Sequence, residues 1–294
     1  MACLFTIAAR VPGKCAAVAL GIFLLFSQGN VLAQQQPLKL GVHPYLASSE
    51  LVRRFTPLAE YLSAVLKRPV ILELSNSYNT HIQKIGNDMV HIAFMGPASY
   101  VIMTDQFGRK PILAALESNG KSTFRGVIVT KRDSTITSLR QLKGKKFAFA
   151  DRDSTMGHLV PRHMLLQRGV DLKDFATSMN LANHDNIALA VLAGDFDAGA
   201  VKEEIFLKYR PEGLRAVAFT PDIADHLFVA SSLLPRQTVQ AIRSALLDLN
   251  HHPDGRRIMH LLRADISALM RADDGSYDNL REIIRDLKRA GVEP

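Results

Sequence analysis

The sequence contains no tryptophan and only two cysteines among its 294 residues, and both cysteines, Cys3 and Cys15, lie within the first 33 residues. A chain that starts after this segment has no thiol, which excludes disulfide bonds and thiolate metal sites. The apolar run of residues 16–26 is far shorter than the roughly 20 residues that cross a bilayer. The first segment is therefore not predicted to be a membrane anchor.

Residues 1–33 instead have the features of a cleavable signal peptide. Arg10 and Lys14 precede the apolar run, and Val31-Leu32-Ala33 has the small-residue pattern that signal peptidase accepts. We expect cleavage after Ala33. The absence of a cysteine at this point argues against a lipoprotein, and an exported chain without cysteine indicates a bacterial periplasm.

Hydrophobic residues make up 47% of the chain and charged residues 22%, a balance that predicts a buried core and excludes a disordered protein. The net charge of +8 is compatible with nucleic acid, anionic lipid or small anions as partners. Nucleic acid is disfavoured because acidic residues lie between the basic ones. The run Lys143-Gly144-Lys145-Lys146 is more typical of a solvated turn than of a phosphate-binding track.

From Leu38 onward, short apolar strands alternate with amphipathic helices, which predicts an α/β fold with parallel sheets. Leu51, Phe55 and Leu58, for example, recur at helical spacing. The predicted strands are 38–42, 70–74, 91–95 and 112–116 in a first unit, and 127–130, 146–150, 177–181, 196–200 and 214–219 in a second. After about Ser231 the pattern is helical, and we predict no further strand.

These units predict two α/β lobes that face a shared central cleft. We expect lobe 1 to comprise residues 38–124 together with 227–294, and lobe 2 to comprise residues 125–226. Two connecting segments, near 122–126 and 219–228, form the expected hinge, and the helical tail is expected to pack on lobe 1. Parallel sheets bind ligands beyond the carboxyl ends of their strands, so the predicted site lies between the lobes.

The turn after the predicted strand 146–150 is the most informative part of the sequence. Asp151, Ser154 and Thr155 follow this strand and lead directly into a helix. The free N–H groups at the helix start, together with the two hydroxyl groups, form a pocket for an oxyanion that needs no cofactor. The alternative is that Ser154 or Thr155 only caps its own helix, as these residue types commonly do.

His184 lies just after the predicted strand 177–181 and at the start of another helix. A histidine at this position can donate a charge-assisted hydrogen bond to an anion, or it can be a capping or surface residue. Tyr78 and Tyr100 follow strand ends in the first unit. They are candidates for phenolic donors across the cleft, with half-buried packing as the alternative.

Taken together, these segments resemble the periplasmic phosphonate-, phosphite- and phosphate-binding components of ABC importers, from about Leu38 to Pro235. The family pattern of strand, Asp, Ser-Thr, small residue, Gly, aromatic, Leu, Val and Pro is similar to residues 149–161, FADRDSTMGHLVP. The Gly-Pro-Ala-Ser-Tyr run at 96–100 and the segment 194–200 support the resemblance. It implies the type II periplasmic binding protein fold.

The resemblance also implies site residues. In this family the Ser-Thr pair and a later histidine hold the phosphonate oxygens, which implies Ser154, Thr155, Gly157 and His184 here. Tyr78 matches a tyrosine that donates to the same group.

Further site positions follow from the same resemblance. Phe124 stands where relatives often have a tyrosine, and His158 replaces the usual aromatic residue. Acidic residues on the far side of the cleft hold the amine in aminoalkylphosphonate binders. The matching positions are Glu204 and Asp225, with Glu203 and Asp222 as alternatives.

The implied function is a solute-binding protein that closes on a small phosphorus oxyanion and hands it to a membrane permease with a cytoplasmic ATPase. We expect a monomer without a cofactor or metal. One alternative is a sensor that presents the closed form to a signalling receptor. The sequence cannot separate transport from sensing, because both depend on the same population shift.

A second alternative is a periplasmic phosphoester hydrolase. The sequence disfavours it, because it contains no nucleophile-elbow motif and no cluster with metal-ligand spacing. Gly120-Lys121-Ser122 imitates the end of a phosphate-binding loop but lacks the required earlier glycine. His251, His252 and His260 have no carboxylate or thiolate at suitable spacing, so we expect them to be surface residues.

Overall fold

The computed structural model describes residues 36–292. The predicted signal peptide, residues 1–33, lies outside the described part. The described residues form two mixed β-sheets with helices packed on them, joined by a small two-stranded pair. This is the two-lobed α/β architecture that the sequence predicts.

The first sheet has six strands. In spatial order they are β13 (Ile266–Met270), β4 (Ile112–Ser118), β12 (Leu227–Ala230), β3 (Ile92–Met95), β1 (Leu38–Val42) and β2 (Val70–Leu74). The strands β1, β2 and β3 are parallel, as predicted. The prediction is wrong for the other half of the sheet, because β12 runs antiparallel to β3 and β4, and β13 runs antiparallel to β4.

The prediction of no strand after Ser231 is also wrong, because β13 lies in the tail. Its buried residues Ile266 and Leu269 are three positions apart, a spacing that suits one face of a helix as well as an irregular edge strand. Pairing with β4 decides the conformation, and the register of this pair shifts between Ile266 and Ala268. That irregularity removes the strict alternation by which a strand is recognised.

The second sheet has five strands. In spatial order they are β10 (Leu214–Phe219), β6 (Gly126–Lys131), β9 (Ala198–Lys202), β7 (Lys146–Phe149) and β8 (Thr177–Asn180). The strands β7, β8 and β9 are parallel, whereas β6 runs antiparallel to β9 and β10. The strand predicted at 196–200 begins at Ala198. Asp197 precedes the strand, and its side chain accepts a hydrogen bond from Lys146 N–H at 2.8 Å. The last residue of the strand is Lys202.

The chain crosses between the sheets twice. The first crossing contains β5 (Thr123–Phe124) and the second contains β11 (Ile223–Ala224), and these two short strands pair antiparallel. Both crossings fall within the segments predicted as the hinge. They are therefore held side by side by backbone hydrogen bonds.

The first sheet carries α1 (Ser48–Leu66), α2 (Tyr78–Gly86) and α3 (Pro97–Phe107). In α1 the residues Leu51, Phe55, Leu58 and Leu62 are buried, which is the helical spacing seen in the sequence. The second sheet carries α4 (Val160–Gln167), α5 (His184–Ala193) and α6 (Glu203–Tyr209).

The tail contains α7 (Arg236–Asp248), α8 (Gly255–Leu262) and α9 (Asp278–Arg289). The helices α7 and α8 pack on α1, as predicted for a tail on the first lobe, and α9 contacts both α3 and α4. Among residues 36–292, no helix has the length and apolar character needed to span a membrane.

Candidate functional site

The site is built from strand ends. In the first lobe, His43 follows β1 and Gly96 follows β3, and in the second lobe Ser154 follows β7 and Lys202 ends β9. All four strands belong to the parallel parts of their sheets. Their carboxyl ends point to the same edge of each sheet, which is where α/β folds bind ligands.

The two lobes are in direct contact at Thr155. Its Oγ1 accepts a hydrogen bond of 3.0 Å from the backbone N–H of Ala98, in the first turn of α3. The surrounding side chains are almost fully buried, with 2% of Ser154, 5% of Thr155 and none of His184 exposed. The lobes are therefore closed over the site, and polar groups here are shielded from bulk water.

Ser154 caps the helical segment that follows it, as one interpretation of the sequence proposes. Its Oγ accepts a hydrogen bond of 3.2 Å from Gly157 N–H. Capping uses a lone pair of the hydroxyl oxygen and leaves the O–H group able to donate, so the same residue can cap the helix and hold an anion. The segment opens with a π-helical turn, Thr155–Leu159, whose first N–H groups have no acceptor within the helix.

Gly157 is required by the close approach of its neighbours. A Cβ atom at this position would lie 2.3 Å from Cβ of Ala150 and 2.9 Å from both Cε1 of His184 and Oγ of Ser154. These distances are shorter than any stable non-bonded contact. The missing side chain therefore lets the His184 ring come close to the Ser154 turn.

The tautomer of His184 follows from its surroundings. Nδ1 accepts a hydrogen bond of 3.3 Å from the backbone N–H of Lys202, so in the neutral ring the proton is on Nε2. Nε2 is buried and has no partner among the described residues. A buried N–H group of this kind lacks a hydrogen bond and is ready to donate one to an anion.

A chain of hydrogen bonds fixes a second histidine, which the sequence analysis did not identify. Nδ1 of His226 is 2.9 Å from Oδ1 of Asp225, and since a carboxylate only accepts, Nδ1 carries the proton. Nε2 of His226 therefore accepts, and the ammonium group of Lys202 donates to it at 3.0 Å. The same ammonium group lies 4.1 Å from the ring centroid of Tyr45.

Two predicted aromatic residues lie in this region. Tyr78 is buried, burial raises the pKa of its phenol, and a hydrogen-bonding contact with the Ser154 side chain partly offsets that effect. The Phe124 ring lies edge-on to His226, with 4.9 Å between centroids. Phe124 and Lys202 also line a cavity of about 510 Å³, whose wall includes Glu204.

The predicted acidic residues have different surroundings. One oxygen of Glu204, Oε1, accepts from Arg54 at 2.9 Å, while Oε2 is buried without a partner among the described residues. Asp225 is fully buried and accepts from Arg263, from Ser118 and from the neighbouring His226. Both Asp225 oxygens are thus in use.

The two alternative acidic positions are less suited to hold a ligand. Glu203 forms a two-bond ion pair with Arg125, at 2.7 and 2.9 Å. Asp222 is exposed.

Two other candidates make contacts away from these donors. His158 packs against the Phe149 ring at 4.8 Å, and its Nδ1 accepts from Asn180. The hydroxyl group of Tyr100 donates to Asp274 at 2.8 Å, and its ring packs against Tyr277 of the tail. Tyr100 therefore contacts the tail, with its hydroxyl group and with its ring, and does not act as the predicted donor across the cleft.

Several residues of the cleft were not identified from the sequence. They are His43, Tyr45, Ser99, Lys202 and His226. Two of them, His43 and Lys202, stand at strand ends, so the rule that led to His184 applies to them as well. The ring of His43 stacks on that of His226, with centroids 5.7 Å apart, and Oγ of Ser99 is buried without a partner among the described residues.

Five buried histidines are held in the neutral form. Burial lowers the pKa of His81 and His158 to about 4 and that of His226 to about 3, and it lowers the pKa of His43 and His184 well below the usual value. Burial also lowers the pKa of Lys202 to about 7. Within residues 36–292, no three His, Cys, Asp or Glu side chains are arranged to hold a metal ion.

Comparison with known proteins identifies the family. The sequence profile described as "ABC transporter, phosphonate, periplasmic substrate-binding protein" matches residues 40–277. A probable ABC transporter phosphite-binding protein of Prochlorococcus marinus is 25% identical over 287 residues, which cover 91% of this chain and 95% of that protein. A phosphate-import protein of Mycolicibacterium smegmatis is 25% identical over 226 residues, covering 71% of this chain and 70% of the relative.

The fold agrees with a solved structure. The Prochlorococcus marinus protein PhnD1, in complex with methylphosphonate, superimposes with a TM-score of 0.78 and 25% sequence identity. The match covers 86% of this chain and 98% of that one.

The ion pair of Asp225 gives a prediction about stability. Replacing Asp225 with Ala leaves Arg263 buried with its main counter-charge removed, so we expect a loss of about 3–5 kcal/mol in the free energy of unfolding. Urea denaturation followed by circular dichroism measures this loss. The exposed Asp222→Ala variant is the control, expected within about 0.5 kcal/mol of the unmodified protein. Equal stability of the two variants would contradict the structural role of the pair.

The buried histidines give a prediction about acid stability. Below pH 6.5 they take up protons in the unfolded chain but stay neutral in the folded one, so the free energy of unfolding falls as pH falls from 6.5 to about 4. Each group contributes at most about 1.4 kcal/mol per pH unit. Burial raises the pKa of Asp153 to about 6 and also raises the pKa of Asp151. These two carboxyl groups act in the opposite direction, but they are two groups against five.

Melting temperatures measured between pH 7 and 4.5 check this expectation. His81→Gln removes one buried titrating group and is expected to flatten the profile. The matched substitution of the exposed His260, His260→Gln, is expected to leave it unchanged. A melting temperature that stays constant from pH 7 to 5 in the unmodified protein would refute the prediction.

Proposed function

The chain belongs to the family of periplasmic substrate-binding proteins of phosphonate ABC transporters, and we propose that its cleft captures a small phosphorus oxyanion, a phosphonate, phosphite or phosphate. The observation that carries this proposal is the buried Nε2–H of His184, which has no partner among residues 36–292. The Ser154 and Thr155 hydroxyl groups lie in the same closed cleft. In the proposed site these three neutral groups donate to one anion where water is excluded, which is the arrangement that binds an oxyanion strongly.

Closure of the lobes completes the site. Ser154, Thr155 and His184 come from the second lobe, while Tyr78 and the start of α3 come from the first. The bond between Ala98 and Thr155 forms only when the lobes meet. Ligand binding therefore favours the closed form, because only that form supplies donors from both sides.

Membership of this family implies that the partners are a small anionic ligand and the permease and ATPase of an importer. Family membership does not favour the sensor alternative, and this is a family of binding proteins, not of enzymes. We further propose that the chain acts as a monomer after removal of residues 1–33. Its lobes are proposed to comprise 38–124 with 227–294, and 125–226.

For an aminoalkylphosphonate, we assign the amine to Glu204 rather than to Asp225. Oε2 of Glu204 is buried, has no partner within residues 36–292, and belongs to a residue that lines the cavity, so it can accept from an ammonium group. Both oxygens of Asp225 are occupied by Arg263, Ser118 and His226. His158 is not assigned a contact with the ligand.

A ligand panel tests the function directly. Protein refolded from denaturant, and so freed of bound ligand, is mixed with phosphate, phosphite, methylphosphonate, 2-aminoethylphosphonate and sulfate, and its melting temperature is measured. We expect a rise with at least one phosphorus oxyanion, because a ligand that binds only the folded state stabilises it. A rise with sulfate alone, or with none, would refute the proposal.

Removing individual donors gives a residue-level prediction. We expect His184→Ala and Ser154→Ala each to weaken binding of the preferred anion by about 1–3 kcal/mol, since each removes a hydrogen bond to a charged, desolvated group. Isothermal titration calorimetry measures the change. His260→Ala, on the exposed surface, is the control and should bind as the unmodified protein does. Unchanged affinity in either donor variant removes that residue from the site.

The role of Glu204 gives a prediction about selectivity. We expect Glu204→Gln to weaken 2-aminoethylphosphonate by about tenfold while changing methylphosphonate by less than about threefold, because only the first ligand has an ammonium group. Glu203→Gln is the matched control, since the Glu203 carboxylate is already paired with Arg125. Equal losses for the two ligands in the Glu204 variant would refute its assignment to the amine.

A further inference from the structure

The proposed function does not explain the charge of Lys202, a buried side chain of the cleft. Only 6% of the residue is exposed. No carboxylate among the described residues lies within ion-pair distance of its ammonium group, which instead contacts the neutral His226 and the Tyr45 ring. A buried, unpaired cation destabilises a folded protein, so a role in ligand recognition accounts for its presence better than packing does.

The other buried or half-buried basic residues around the 510 Å³ cavity already have partners. The half-buried Arg125 is paired with Glu203 and the buried Arg263 with Asp225. The exposed Lys208, on the same cavity wall, is paired with Asp185. Lys202 differs from all of them. Of the three N–H groups on its ammonium, the bond to His226 uses one, which leaves two donors.

The backbone and the side chain of Lys202 contact different residues of the cleft. Its backbone N–H binds His184, while its four-carbon side chain carries the ammonium away to His226 and past Phe124, 5.9 Å from that ring centroid. Lys202 therefore contacts the His184 ring through its backbone and also lines the cavity. A ligand held by His184 and extending into the cavity passes this charge.

We propose that Lys202 determines specificity by binding a carboxylate on the ligand's substituent, so that the preferred substrates are carboxyalkyl phosphonates. Glu204 lines the same cavity, and its Oε2 has no partner in the part of the chain that the structure describes. A substituent with both a carboxylate and an ammonium group, as in an α-amino acid, satisfies both residues at once. This inference rests on the proposed function, since it requires the phosphonate to bind at His184 and Ser154.

Burial that lowers the pKa of Lys202 to about 7 supports this assignment. The ammonium is costly to keep charged in the closed cleft, and a carboxylate placed against it restores the charged form. Glu204 and Asp225 act on it only from beyond ion-pair distance, and Arg263 and Arg54 oppose them.

Four ligands that share the phosphonate group distinguish the contribution of the substituent to binding from that of the oxyanion. Ethylphosphonate carries neither an amine nor a carboxylate, and 2-aminoethylphosphonate carries the amine alone. 3-Phosphonopropionate carries the carboxylate alone, and 2-amino-3-phosphonopropionate carries both groups. Affinities are measured by calorimetry on refolded protein at pH 6.5. We expect the two carboxylate ligands to bind at least about tenfold tighter than their counterparts without it, the factor that one charge-assisted hydrogen bond provides.

The variant Lys202→Met keeps the length of the side chain and removes its charge. We expect it to lose the preference for carboxylate ligands, by about tenfold to a hundredfold, while ethylphosphonate changes by less than about threefold. Lys208→Met is the matched control on the same cavity wall and should retain the preference. Melting temperatures of both variants verify that each is folded.

The outcomes distinguish the two proposals. If the unmodified protein binds ethylphosphonate but shows no preference for carboxylates, the inference about Lys202 is overturned and the proposed function stands. If Lys202→Met weakens all four ligands equally, Lys202 holds the phosphonate itself and the inference is again overturned. If no phosphorus compound binds the unmodified protein, the proposed function fails and the inference fails with it.

Discussion

The hydrogen bond between the Asp225 carboxylate and Nδ1 of His226 determines which groups of the cleft donate hydrogen bonds and which accept them. The carboxylate can only accept, so His226 presents a lone pair on Nε2, and this lone pair holds the Lys202 ammonium. The backbone N–H of Lys202 in turn binds Nδ1 of His184, and Cε1 of this ring lies close to Gly157 in the Ser154 turn. Arg263 keeps Asp225 ionised by pairing with it, so a residue of the tail supports the donors on the far lobe.

In the proposed site, the groups that donate to the oxyanion carry no charge of their own. The imidazole groups are neutral because burial penalises their charged forms. In the proposed site, negative charge on a ligand is met mainly by hydroxyl, imidazole and backbone N–H dipoles that closure of the lobes brings to the ligand. The same burial makes the folded protein sensitive to acid, so recognition and stability depend on one property of the cleft.

The sequence predicted those parts of the site that follow from local order along the chain. Ser154 and His184 could be named as candidates because each follows a strand end and lies at the start of a helical segment. Asp225 and Tyr100 could not be assigned correctly, because their partners, Arg263 and Asp274, come from the tail, far away in sequence. The tail strand β13 escaped prediction for the same reason, since only pairing with β4 distinguishes it from a helix.

The order of strands in the first sheet has a consequence for how the chain folds. The second sheet uses one continuous stretch of sequence, whereas in the first sheet β12 lies between β4 and β3, which precede it by more than a hundred residues. The early strands therefore cannot complete their pairing until the later part of the chain returns to them. Contacts so distant in sequence form slowly, and the lobe that begins the chain is expected to be the last to assemble.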